Sequence, residues 1–313
     1  MALSGPGDLV SIALCTYNGA EHLAAQLDSL LAQDHPRLEL VACDDASTDA
    51  SFELLQAHAP RFTSARLMRN PRNLGLQANF EQVFRACRGD WIAPCDQDDR
   101  WRPDKLSRLL RHADEKTTLV YADSALIDAA GLPWNGGERV SDRYRMVSGS
   151  DPRMFALANC ISGHSSLFRR GVLARALPLP EGVLHDAWIA FVAANVGTIR
   201  YVDAALVEFR QHHRNASGFA GQLKQGRRRS AAERFDVELH DLEAKASFDG
   251  PQQAFFAELL RLWKERPGRW ATPALARFLH AHREQVFAMK PSAPGAKGRH
   301  AMKYLRGLRG RLD

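Results

Sequence analysis

A mostly parallel α/β sheet flanked by helices, followed by a smaller helical region, is what the amino-acid pattern implies. Three observations carry that expectation. From Leu9 onward, short apolar runs alternate with segments of helical periodicity, as consecutive βα units require. Polar and acidic residues gather just after several of those runs, at the strand ends where open α/β sheets bind ligands. The chain has 313 residues, somewhat more than the roughly 250–300 that one core comfortably holds, so there is room for an appendage.

Taken in order, residues 9–15 read as the first strand, and Leu23, Leu27, Leu30 and Leu31 recur behind it at helical spacing. Residues 38–43 form a second strand that ends in the acidic turn Asp44-Asp45-Ala46-Ser47, with a helix running to about Ala59. A short strand at 66–69 and an amphipathic helix at 76–87 lead to a buried strand at 91–95, and Asp96-Gln97-Asp98-Asp99 follows it at once. Pro103 stands at the N1 position of the next expected helix. A strand at 119–123 then enters a Gly-rich segment, 131–149, read as a loop or hairpin. Pattern returns at 162–168, continues in a helix at 186–195, and closes with two strands, 199–202 and 206–210. The domain boundary is expected at 218–226, dividing the chain into residues 1–218 and a helical extension, 219–313. In the extension Ser230 and Glu233 make a capping box, 252–263 is a second helix, and Pro273 opens a third.

With 45% hydrophobic and 25% charged residues, the composition is that of an ordinary globular protein and excludes collagen-like, disordered and disulfide-scaffold classes. The net charge of +6 permits a nucleic-acid, membrane-surface or phosphate-bearing partner without choosing among them. Cys15, Cys43, Cys87, Cys95 and Cys160 are odd in number and never in a CxxC pair, which argues against a disulfide framework and a structural zinc. A reducing, cytoplasmic setting is expected. The N-terminus lacks the basic and apolar regions of a signal peptide, and no apolar run reaches the roughly 20 residues of a membrane span. Any membrane contact is therefore expected to be peripheral, at the inner face of the plasma membrane. Arg227-Arg228-Arg229 reads as a solvated linker without the aromatic interleaving of a nucleic-acid site, so no nucleic-acid partner is expected. In the tail, Ala301, Leu305, Leu308 and Leu312 share one helical face while Lys303, Arg306 and Arg309 fall largely elsewhere, which suits an interfacial helix on anionic lipid. Gly307 and Gly310 weaken that helix, and a frayed, solvated tail fits equally well.

The strand ends supply Thr16-Tyr17-Asn18, Asp44-Asp45, Asp96 to Asp99 and Arg210-Gln211-His212. Each alone is explained by turns and caps, which favour Asn, Asp, Ser and Thr. The Asp96-x-Asp98 pair asks for more, because carboxylates this close repel unless a cation or a hydrogen-bond network compensates them. A hard divalent ion held by one or two carboxylates and substrate phosphates is the usual arrangement at nucleotide sites.

Seven segments in order over the first two-thirds of the chain carry a resemblance: VSIALCTYNGAEHLAAQLDSLLAQ from Val10, LELVACDDASTD from Leu38, NLGLQANFEQVF from Asn73, GDWIAPCDQDDRWRPDKL from Gly89, ISGHSSLFRR from Ile161, HDAW from His185 and FRQHHRNASG from Phe209. With them the chain resembles the family 2 glycosyltransferases of the GT-A fold, most closely the subgroup containing rhamnosyltransferase-like enzymes of bacterial surface polysaccharide synthesis. The resemblance implies an inverting, metal-dependent transfer from a UDP- or dTDP-sugar to a glycan acceptor, on a lipid carrier at the membrane face.

It implies roles for matching positions as well. Thr16, Tyr17 and Asn18 would contact base and ribose, and Asp45 would accept from the N3–H of uracil or thymine. Asn73 and Gly75 would begin the loop beside the nucleotide, although Gly75 is equally explained by a backbone position needing positive φ. Asp96 would lie near the ribose, and Asp98 with His212 would hold Mn2+ or Mg2+. Asp186 would be the general base, removing the acceptor proton; its position at the start of a helix also suits an N-cap. His185 would shape the site. Cys15, Ala46 and Cys95 stand where relatives usually carry proline, glycine and an aliphatic residue, and Ala187 stands where some carry a bulky aromatic. Two other readings stand beside this one. A phosphohydrolase using Asp96 and Asp98 would want its DxD after the first strand, and a non-catalytic basic binding module would not need Asp45, Asp98, Asp186 and His212 together. A dinucleotide-binding dehydrogenase is disfavoured because no GxGxxG follows the first strand.

Overall fold

Residues 8–212, 231–266 and 272–290 are described by the structure, a computed structural model. In chain order the elements are β1 (Val10–Thr16), α1 (Ala20–Leu31), β2 (Leu38–Asp44), α2 (Ser51–His58), β3 (Ala65–Arg69), α3 (Leu76–Ala86), β4 (Trp91–Cys95), β5 (Arg100–Trp101), α4 (Lys105–Arg111) and β6 (Thr117–Ile127). They continue with β7 (Ser166–Arg169), α5 (Leu173–Ala176), α6 (His185–Val196), β8 (Thr198–Arg210), α7 (Ala231–Ser247), α8 (Gln253–Lys264), α9 (Pro273–Ala281) and α10 (Arg283–Val286).

One sheet holds all eight strands in the order β3-β2-β1-β4-β7-β6-β8-β5. β1 pairs in parallel with β2 and β4, β2 with β3, and β6 with β8. β7 runs antiparallel to both its neighbours, and β5 antiparallel to β8. Six strands therefore point one way and only β5 and β7 are reversed, and this is the GT-A arrangement of a mostly parallel sheet between helices. β1 is buried along its whole length because both of its faces are covered. Its alternate residues split between two cores, as a two-residue period requires. Ile12 and Leu14 face Leu23, Leu27 and Leu30 of α1 with Leu106 and Leu109 of α4. Ala13 and Cys15 face the other layer, where Phe80, Val83 and Phe84 of α3 meet Trp188 and Phe191 of α6. Phe256, Leu259, Leu262 and Trp263 of α8 and Leu275 and Leu279 of α9 belong to that same cluster, so the C-terminal helices are packed onto the second face of the sheet. Each such fully buried Leu or Phe side chain is worth about 1.5–3 kcal/mol.

Two expectations are corrected. Residues 198–210 are a single strand, because the paired register with β6 slips at Asp123 and β8 absorbs the polar Asp203 as a bulge where the pattern read as a break. Pro103 precedes α4 and is not its first residue: its carbonyl accepts from Asp34 N at 3.0 Å, and Asp104 occupies the N-cap. The 131–149 segment is a loop, as the sequence suggests. Short 3₁₀ turns at Trp134–Gly136 and Val140–Asp142 are pinned to β6 through the bridges Ala125 to Arg139 and Ile127 to Pro133. The expected boundary at 218–226, Arg227 to Arg229, Ser230 with the Glu233 side chain, and the tail from 291 lie outside the described residues.

Candidate active site

The sheet's C-terminal edge gathers the polar residues. At the end of β1, Thr16 Oγ1 donates to Asp44 Oδ1 at 3.0 Å, and Thr16 O accepts from Asp45 N at 2.8 Å, locking the first two strand ends together. The backbone of Tyr17 is held at both ends by Gln97, whose Oε1 accepts from Tyr17 N at 2.8 Å and whose Nε2 donates to Tyr17 O at 3.1 Å. The Tyr17 ring is left 47% exposed, a flat apolar surface at the rim. Asn18 takes a positive φ of 48°, and its Oδ1 accepts from Thr48 N. Gly19 leaves room for the Gln97 carboxamide, since a Cβ there would lie 2.1 Å from Gln97 Oε1.

Asp45 is buried and accepts from three donors: Asn70 Nδ2 at 2.7 Å, Leu74 N at 2.8 Å and Gly75 N at 2.9 Å. A carboxylate offers about four acceptor positions, and three of those of Asp45 are used, two of them to fix the 73–75 loop. Gly75 has φ of +87°, a conformation that glycine adopts at no steric cost. Exposed Asn73 opens the loop.

After β4 the four-residue acidic run splits. Asp98 Oδ2 lies 2.8 Å from His212 Nε2, which arrives just beyond β8. Asp96 and Asp99 instead face His164, from the turn before β7, at 3.5 and 3.7 Å from its Nδ1. The other ring nitrogen of His164 lies 3.1 Å from Ser124 Oγ. Burial pushes the Asp99 carboxyl up to about 8. Burial alone would lower the His164 pKa, but the Asp99 and Asp96 carboxylates outweigh it and raise it. Desolvation works against the Asp96 anion, yet His164 holds its carboxyl below the usual range. Lys105, fully buried, donates from Nζ to His164 O at 2.6 Å, and burial drives its ammonium well below the ordinary lysine value. Arg210 ties these pieces together: its N donates to Asp99 Oδ1, its Nε to Asp98 O, and its Nη1 to Asp128 O and Ala129 O.

Asp186 lies in the first turn of α6, where the N-cap is Leu184, so the N-cap explanation of this aspartate does not hold. Its Oδ1 accepts from Ala187 N at 2.6 Å, and burial raises its carboxyl above the ordinary aspartate value.

Two donor sets suit a divalent cation. Asp98 with His212 offers one carboxylate oxygen and one imidazole nitrogen, partly exposed at the rim. Asp96, Asp99 and His164 place three ligand atoms within 4.8 Å of one another, and Asp99 Oδ2 is buried with no hydrogen-bond partner. Mixed oxygen and imidazole ligation fits Mn2+ at least as well as Mg2+. His164 and Lys105 were not singled out from sequence, and Asp99 and Arg210 were named only within the strand-end runs, without a role of their own. The signals available were the second Asp of the Asp98-Asp99 pair and a histidine in a polar turn just ahead of an apolar strand.

Residues 11–177, more than half of the chain, match the family model for glycosyl transferase family 2. An uncharacterized protein of Mycobacterium tuberculosis is 29% identical over 212 residues, covering 65% of this chain and 59% of that protein. An uncharacterized glycosyltransferase of Nostoc is 28% identical over 225 residues, 66% of each chain. The match thus spans less than two-thirds of the length of these relatives. Among solved structures, S. aureus TarS 1-349 in complex with UDP-GlcNAc aligns with a TM-score of 0.61 at 16% identity, covering 94% of this chain and 79% of that one. The mannosyltransferase PcManGT from Pyrobaculum calidifontis, in complex with GDP-Man and Mn2+, aligns with a TM-score of 0.55 at 20% identity, covering 95% and 81%. At these identities the likeness is one of fold.

Proposed function

The chain belongs to glycosyl transferase family 2, and on that premise we propose that it is an inverting, metal-dependent glycosyltransferase. It moves one sugar from a UDP- or dTDP-sugar to a glycan acceptor in the synthesis of a bacterial surface polysaccharide. The observation that carries the reading is the meeting of His212 with Asp98 at the edge that also holds Asp45, Asp96 and Tyr17. Turn chemistry alone would not bring a histidine across the sheet to the acidic run.

In this reading the exposed Tyr17 ring stacks on the base, and the remaining acceptor position of Asp45 takes the N3–H of a uracil or thymine. Asp96 bonds the ribose, and the 73–75 loop closes beside the nucleotide. Asp98 and His212 would hold the ion, and the buried Asp99 and His164, with the partly exposed Asp96 carboxylate beside them, fix the strand end. A bound divalent ion supplies positive charge to the departing diphosphate. Asp186, with its raised carboxyl, removes the acceptor hydroxyl proton as that oxygen attacks C1 from the face opposite the leaving group. Similarity to proteins named for succinoglycan and teichuronic acid biosynthesis supports a polysaccharide acceptor. Residues 1–218 are taken as the nucleotide-sugar-binding part and 219–313 as the helical extension. No helix among the described residues is long and apolar enough to cross a membrane, and contact with a lipid-linked acceptor is assigned to the basic tail.

Calorimetric titration with UDP, dTDP and GDP, with and without Mn2+, tests the donor site: metal-dependent binding of UDP or dTDP is expected, and no binding of either sinks the assignment. Asp186→Asn is expected to keep nucleotide affinity and lose transfer; normal turnover would remove the base.

A further inference from the structure

His185 stands beside the proposed base and is built into the site in a way that stability does not explain. Its ring stacks on Phe80 of α3, with centroids 3.9 Å apart and planes 23° apart, and Phe84 lies at 6.1 Å. The residue is 7% exposed, and burial lowers its pKa, so the imidazole is neutral. Its Nδ1 is buried without a hydrogen-bond partner. Buried polar atoms are nearly always paired, and a phenylalanine in the same stack would carry no such cost.

The opposite edge of the ring is met by Gly163. A Cβ at that position would lie 3.0 Å from His185 Nε2, 3.6 Å from Pro94 Cβ and 3.7 Å from Asp186 Cβ. Gly163 does not have a positive φ, so its lack of a side chain serves space and not backbone conformation. Pro94 leads through Cys95 into Asp96, His164 follows Gly163, and Asp186 follows His185. The donor-side carboxylate, its histidine partner and the proposed base therefore converge on this contact. Phe80 covers one face of the ring while Gly163 meets its Nε2 edge.

We infer that His185, wedged between Phe80 and Gly163, is a positioning residue that sets where the Asp186 carboxylate stands relative to the donor side of the site. The inference rests on Asp186 being the base. It accounts for a buried, unpartnered nitrogen at a place where an apolar ring would pack at least as well, since local rules of stability are broken mainly at functional sites.

The test separates stability from turnover. His185→Phe keeps the aromatic stack and removes the orphan nitrogen, and Gly163→Ala presses a methyl group against the ring while keeping a permitted backbone. Three quantities are measured for each full-length variant: the denaturant midpoint, the affinity for UDP with Mn2+, and the rate of nucleoside diphosphate release from whichever of UDP-GlcNAc, UDP-glucose or dTDP-rhamnose the unmodified protein turns over. For His185→Phe the expected result is a midpoint equal to or above that of the unmodified protein, unchanged UDP affinity, and kcat lowered by about tenfold to a hundredfold, the loss that a misplacement of about 1 Å brings. Gly163→Ala should show the same split between affinity and kcat. Turnover within twofold of the unmodified protein in both variants, or a loss of UDP affinity that accounts for the slower rate, overturns the inference. Asp186→Asn is run alongside: an inactive Asp186→Asn with a fully active His185→Phe defeats only the positioning role, whereas an active Asp186→Asn defeats the base on which it rests.

Discussion

Asp98 Oδ2 and His212 Nε2 lie 2.8 Å apart although 114 residues separate them in the chain. The contact ties the end of β4 to the end of β8 and leaves both side chains partly exposed, at 12% and 10%. If the pair holds the ion, Asp98→Ala and His212→Ala will each weaken UDP binding in Mn2+ by about tenfold or more, while binding in EDTA stays as in the unmodified protein. Calorimetry in the two buffers checks this, and an equal loss in both would mean that the residues act on the nucleotide without a cation.

Gly19 and Gln97 make a second testable joint. A methyl group on Gly19 would occupy the place of the Gln97 carboxamide, so Gly19→Ala will push Gln97 from the Tyr17 backbone. Two hydrogen bonds of about 0.5–1.5 kcal/mol each are at stake, so the denaturant midpoint should fall, and UDP affinity should fall by roughly three- to tenfold as Tyr17 loses its support. Unaltered affinity would show that Tyr17 needs no such support.

Ala46 occupies the left-handed region, with φ of +61°. A residue with a Cβ is strained there by about 1–2 kcal/mol, and glycine returns part of that gain through its freer unfolded chain. Ala46→Gly should therefore stabilise the protein by about 0.5–1 kcal/mol in a denaturant titration. A lower midpoint would contradict the strain.

The Asp99 carboxyl, held at about 8 in the fold, has a value of about 3.9 in an unfolded chain. The folded protein thus keeps a proton that the unfolded chain releases, and its stabilising contribution is complete below about pH 4 and lost as pH rises to about 8. His164, raised above its usual value of about 6.5, acts in the same direction at higher pH. In EDTA, denaturant midpoints should fall from pH 6 to pH 9, and Asp99→Asn should fall less steeply. Parallel curves for the two proteins would count against a neutral buried carboxyl.

The alternation of apolar runs and helical periodicity made the first half of the fold legible, down to β4 at Trp91–Cys95. Each unit there is local: a strand, a turn and a helix that read from their own residues. β8 was misread because its bulge at Asp203 depends on the register of a partner strand some 80 residues away in the chain. The site divides in the same way. The strand-end acids were visible as a run, but which of them faces which histidine depends on how the turn at Gly163–Ser165 and the end of β8 return to the sheet. His164 lies 65 residues from Asp99, and no spacing rule connects them.

The five cysteines are all buried and free. Burial pushes the thiols of Cys43 and Cys87 up to about 11 and about 12, and raises those of Cys15, Cys95 and Cys160. Because the thiolate is the reactive form, they are poor targets for alkylation at neutral pH. A cysteine introduced at Leu184, which is 53% exposed and one residue ahead of His185, would then take a maleimide fluorophore selectively in the otherwise intact chain. The native protein already offers a quiet chemical background for a single reporter placed beside the proposed base.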